Sequence, residues 1–237
     1  MKLWAAPTAL AALAGCCVGA PEFREQLRID PALAPAEASE RVRELLDSPT
    51  LVVDFEPKLV GTTMEVYEFL LKELPFTAAC VRALGRGDYV IESDAGEGPP
   101  GRVYRVDDRR GLKLQMRWLY RQDGRWVYLG PALYSGSSFG VVKGHTLTVL
   151  SAEPVEGGLL CEGRAYCRFE SFFGILGKLA PGLFASAMRR KANLFIEAAR
   201  IVSEESRRDP AGFCERMSRS PDVPPADLEK FRRVLIK

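Results

Sequence analysis

Leu112-Lys113-Leu114-Gln115-Met116-Arg117-Trp118-Leu119-Tyr120-Arg121 is the stretch from which the fold can be worked out. Leu112, Leu114, Met116, Trp118 and Tyr120 alternate with Lys113, Gln115, Arg117, Leu119 and Arg121, giving one apolar face and one largely cationic face. A two-residue period of this kind belongs to a half-buried strand. Asp123-Gly124 comes directly after it and suits the two positive-φ positions of a type I′ turn. Residues 125–134 are therefore predicted to return as the hairpin partner.

Outward from this hairpin, two more long strands are predicted at 141–151 and 159–169. Two shorter ones, at 89–93 and 102–106, flank the Gly- and Pro-rich loop at 96–101. Further upstream, residues 51–55 are β-rich and form a first strand. Thr62 stands three residues before Glu65, a capping-box spacing that opens an amphipathic helix to about Leu74. Pro75 restarts the chain into a second short helix that stops near Gly85. A short helix is also predicted over 36–47. Downstream, Pro181 starts a long amphipathic helix to about Ser206, with Phe184, Met188, Ala192, Phe195, Ala199 and Val202 as its core stripe. A last short helix carries Leu228, Phe231 and Leu235.

One strand, two short helices, six further strands and a long helix describe an α+β fold with a seven-stranded antiparallel sheet. This order resembles the START-like helix-grip family, which includes polyketide cyclase-like and lipid-transfer (SRPBCC) domains. The resemblance lies in topology over about residues 50–206, without a signature motif. It implies a curved sheet gripping the C-terminal helix, with a cavity for an apolar ligand between them. Cavity-lining candidates are Tyr104, Leu114, Met116, Trp118 and Tyr120, then Cys161, Gly163, Ala165 and Cys167 on the last strand, and Met188 and Phe195 on the helix. The small inward residues of the last strand have two readings: they let the helix pack closely, or they leave space that a ligand fills.

A hydrophobic content of 47% and a charged content of 27% are ordinary for a folded protein and exclude a disordered chain. The formal net charge of +2 demands no polyanionic partner, and nucleic acid is not expected. Basic residues do gather between Arg102 and Arg125, against Asp107, Asp108 and Asp123. A solvated sheet face is the simpler reading; as a binding patch it would suit anionic lipid head groups. Organisation is read as a leader at 1–15, a tether and short helix at 16–47, the domain at 48–207 and a C-terminal extension at 208–237 packed back on it.

Met1-Lys2 followed by an uncharged run to Ala14 is a secretory leader in form. A membrane span asks for roughly 20 apolar residues, and this run is short and contains Pro7. An ordinary cleavage after Val18-Gly19-Ala20 would fall directly before Pro21, which signal peptidases tolerate poorly. Leu13-Ala14-Gly15-Cys16 resembles the bacterial lipobox at all four positions. That resemblance implies a lipid on Cys16 and a membrane-anchored protein of the bacterial envelope, at the outer membrane facing the periplasm.

Catalytic signals are thin. Gly136-Ser137-Ser138-Phe139-Gly140 fits G-x-S-x-G, but that elbow needs a helix after it and a Ser, acid, His order. Val141-Val142-Lys143-Gly144 reads as a strand instead, and no acid lies between Ser138 and His145, the single histidine. One histidine leaves no histidine-rich metal site or His-based relay, and no cofactor or metal is expected. Cys161 and Cys167, about 20 Å apart on one strand, cannot bond each other. Three functions remain: a lipid-anchored protein that binds or transfers a hydrophobic molecule, an interaction lipoprotein with a filled core, and a cyclase- or hydrolase-type enzyme.

Overall fold

A computed structural model of the chain describes residues 27–94, 101–136, 140–170, 186, 188–191 and 193–236. Cys16 and the leader, Ser137 to Phe139, and Pro181, Phe184 and Ala192 of the predicted long helix lie outside the described residues. The strands are β1 (Leu51–Asp54), β2 (Lys58–Val60), β3 (Val90–Ser93), β4 (Val103–Asp107), β5 (Leu112–Gln122), β6 (Arg125–Gly136), β7 (Gly140–Val155) and β8 (Gly158–Phe169). They form one antiparallel sheet in the order β1-β8-β7-β6-β5-β4-β3, with β2 also paired to β8. β1 and β2 thus share one edge, and the curved sheet has seven positions filled by eight segments. β2 is only three residues long, too short to show a period in the sequence.

Asp123 (φ 49°) and Gly124 (φ 70°) make the β5–β6 turn, as the sequence predicts. The alternation of β5 breaks further along. A bulge lies between Trp118, opposite Tyr128, and Tyr120, opposite Val127. The extra residue shifts the phase of everything beyond it. Trp118 stays on the inner face, whereas Leu119 and Tyr120 both pack on the outer one.

The helices are α1 (Ala36–Asp47), α2 (Met64–Lys72), α3 (Leu74–Ala83), α4 (Leu194–Arg208), α5 (Pro210–Ser218) and α6 (Pro225–Leu235). The cap of α2 is Thr63 rather than Thr62: its hydroxyl accepts from the Val66 N–H at 3.4 Å. Residues 188–191 are already helical ahead of α4, and the N–H of its cap Asn193 reaches the Arg189 carbonyl at 3.2 Å. The Asn193 amide oxygen accepts from the Glu56 N–H at 3.1 Å, tying the helix to the bend between β1 and β2.

The inner face of the sheet carries the main core, closed by α2, α3, α4, α5 and α6. Phe213 and Phe231 of the last two helices are fully buried there. On the outer face, Leu27, Ile29, Ala34, Ala38, Val42 and Leu45 pack on Leu119, Val127, Leu147 and Val149. The described part of the expected tether therefore lies against the sheet. The Arg125 guanidinium fixes it by donating to the Arg28 carbonyl at 3.0 Å.

Candidate functional site

Between the inner face and the start of the C-terminal helix lies an apolar cavity of about 70 Å³. Val53 and Phe55 form one wall, Leu114, Ala132 and Tyr134 the opposite one, and Ala165, Cys167 and Phe169 the floor. Met188, Lys191, Leu194 and Phe195 cover it. Five of the candidates, Leu114, Ala165, Cys167, Met188 and Phe195, are thus brought together around it.

The others stand elsewhere. Tyr104, Met116, Trp118 and Cys161 face inward but are buried in the main core, away from the cavity wall. Gly163 leaves no space: a Cβ there would come within 2.6 Å of Phe55 Cδ2, 2.8 Å of the Val149 carbonyl oxygen and 2.9 Å of Leu150 Cδ2. Its smallness serves close packing, while that of Ala165 leaves room. Tyr120 is on the outer face because of the bulge, where its hydroxyl accepts from the Asp30 N–H (3.1 Å) and is 3.2 Å from the Asp30 carbonyl.

Burial governs the ionisable groups here. It pushes the Cys161 thiol up to about 11, Cys167 up to about 12 and Tyr104 up to about 12, so all three are neutral at physiological pH. None of these thiols has the thiolate character of a nucleophile. Cys80, Cys161, Cys167 and Cys214 are all free and buried. Deeper in the core, the Tyr67 ring meets Trp126 edge-on at 5.6 Å, and Tyr128 stands 6.4 Å from Tyr104 and 6.0 Å from Trp118. His145 is not in the cavity; its Nδ1 faces Glu170 Oε1 at 3.1 Å. β6 ends at Gly136 and β7 starts at Gly140 as its paired residue, so a strand rather than a helix follows Ser138 and the nucleophile-elbow geometry is excluded.

The basic residues between Arg102 and Arg125 are largely self-neutralised. Arg102 pairs with Glu73 (3.0 Å), Arg105 with Asp94 (2.7 Å), Lys113 with Asp107 (3.8 Å), Arg117 with Glu37 (3.0 Å) and Arg121 with Glu68. Arg102 and Glu73 are largely buried; the other four pairs are more open to solvent, and such pairs add little stability each.

The pair that sequence reasoning missed is Lys191 with Asp108. Lys191 Nζ contacts Asp108 Oδ2 and lies 3.1 Å from the Arg110 carbonyl. Asp108 Oδ1 accepts from the Arg110 and Leu112 N–H groups, each at 2.8 Å. The ammonium also stands 5.6 Å from the centre of the Tyr134 ring. The available signal was spacing: Lys191 stands three residues after Met188 and four before Phe195, on one helical face.

A second buried acid lies on the outer face. Glu162 is 5% exposed, its Oε1 has no hydrogen-bond partner among the described residues, and burial, with Glu153 and Asp54 adding to it against Arg164, pushes it up to about 7. A carboxyl raised above its unfolded value favours folding at low pH, and that advantage is lost as pH rises through about 7. Glu162→Gln is expected to raise stability at pH 8 by about 1–2 kcal/mol and to change it little at pH 4. Urea midpoints of both proteins at the two pH values check this; equal gains at both would refute it.

No protein-family model matches the chain, and no curated protein matches it. Among solved structures, Ara h 8.0201 is 13% identical, with 65% of this chain and 99% of that one covered at a TM-score of 0.43. TTHA0849 from Thermus thermophilus is 15% identical, with 63% and 94% covered at 0.37. The di-domain ARO/CYC protein StfQ from the steffimycin biosynthetic pathway is 18% identical, with 71% of this chain covered at 0.42. The chain spans 55% of StfQ.

Proposed function

We propose that this chain is a lipid-anchored envelope protein whose domain holds a hydrophobic small molecule or lipid tail between the sheet and the C-terminal helix. The observation that carries this reading is the apolar cavity beneath Met188, Leu194 and Phe195. Cavities of this make-up stay dry and take apolar guests. At about 70 Å³ the space is less than half of the roughly 150 Å³ apolar cavity that admits benzene, so a larger guest needs the helix start to move outward. Met188 suits such a cover, because an unbranched thioether repacks readily. The anchor rests on Leu13-Ala14-Gly15-Cys16 alone.

The small volume also favours a second reading, an interaction lipoprotein with a filled core. Solvent extraction of the full chain purified as expressed, followed by mass spectrometry, separates the two. Titration with the neutral fluorophore N-phenyl-1-naphthylamine adds a direct measure of uptake. A co-purifying hydrophobic molecule and saturable uptake are expected; an empty extract and no uptake by folded protein leave the filled-core reading. Metabolic labelling with a fatty-acid analogue tests the anchor: wild type is expected to be labelled and Cys16→Ser to be unlabelled.

A further inference from the structure

The cavity does not open onto neutral surface. A basin of about 560 Å³ adjoins it, between the end of α3, the turn joining β4 to β5, and the C-terminal helix. Tyr134, Lys191 and Leu194 line both spaces. Among the basin's charged residues Arg110 is paired with Asp88 (3.6 Å) and Lys58 with Glu197 (3.7 Å). Arg86 and Arg190 also line it, and neither has a carboxylate partner among the described residues. The basin therefore carries a net positive charge beside an apolar interior.

Lys191 stands at the junction. Its side chain is 15% exposed, so its charge acts with less solvent screening than a surface lysine's. An ammonium has three donors. Asp108 and the Arg110 carbonyl take two, and the third has no acceptor among the described residues. We infer that the site takes an anionic amphiphile, with its tail in the apolar cavity and its head group on Lys191, supported by Arg190 and Arg86. The inference rests on the cavity being a binding site and names the class of ligand that enters it. Asp108 neutralises Lys191 in this structure; an incoming head group shares or replaces that carboxylate.

Calorimetric titration of the full chain with decanoate, monodecyl phosphate and the uncharged methyl decanoate tests it. Either anion is expected to bind at least about tenfold more tightly than the ester, as a charge-assisted hydrogen bond in a site sheltered from water provides. Lys191→Met is expected to bring that ratio close to one. Asp108→Asn keeps an oxygen for the Arg110 and Leu112 N–H groups but removes the competing charge. It is expected to raise the ratio, and it carries the test if the Met variant fails to fold. Equal binding of anions and ester by wild type, or a ratio that falls in Asp108→Asn, overturns the head-group assignment and leaves the cavity reading intact. No binding of any of the three by folded wild type removes both.

Discussion

Phe231→Ala is expected to lower the free energy of unfolding by about 3–5 kcal/mol, the range for deleting a fully buried aromatic ring. Phe231 is 0% exposed, and its ring centre lies 5.5 Å from Phe69, 5.4 Å from Phe76 and 5.9 Å from Phe213. Those rings belong to α2, α3 and α5, so one side chain of α6 holds three other helices together. The void left by its loss is lined by rings that face one another from different helices and cannot all collapse inward. Urea denaturation followed by circular dichroism measures the cost; a loss below about 1 kcal/mol would make α6 a peripheral attachment.

Gly163→Leu and Ala165→Leu are expected to part company, although the two residues share a strand and a face. At Gly163 even a Cβ meets Phe55 at 2.6 Å and the Val149 backbone at 2.8 Å, so a leucine overpacks the core and costs about 3 kcal/mol. At Ala165 the added atoms enter the apolar cavity, and stability is expected to stay within about 1 kcal/mol of wild type. The Ala165 variant is also expected to lose most of its N-phenyl-1-naphthylamine uptake. Thermal melts and the probe titration read the pair together. A large drop in melting temperature for Ala165→Leu would show that the helix closes tightly on that position.

The sheet was legible because its signals are local. Alternation from Leu112 to Trp118, the Asp123-Gly124 turn and the two long strands after it are each set by neighbours in sequence. The face of Tyr120 was misread because strict alternation was carried through Trp118-Leu119-Tyr120, a run of three apolar residues where the bulge lies. α5 was not among the predicted helices, and its Pro210 and Gly212 are residues that ordinarily break one. In the structure Pro210 occupies the first turn, and the Gly212 N–H donates to Asp209 Oδ1 at 2.9 Å. Of the site, the apolar wall was partly legible and its charged mouth was not. Asp108 belongs to the stretch that the sequence reads as a solvated face, yet it is 5% exposed in the fold, where Lys191 meets it from 83 residues away.

The pairing of β1 with β8 has a consequence for how the chain reaches its native state. Val53 stands opposite Ala165, about 110 residues later, whereas β3 to β7 each pair with the strand next in sequence. Neighbouring hairpins close small loops and form early; the β1–β8 contact must close a loop that spans most of the meander and meets a larger entropic barrier. Until β8 has emerged from the ribosome, Leu51 to Asp54 have no edge to join, and the floor of the cavity does not exist. The pocket is thus among the last features to assemble, and the first strand synthesised waits for the last.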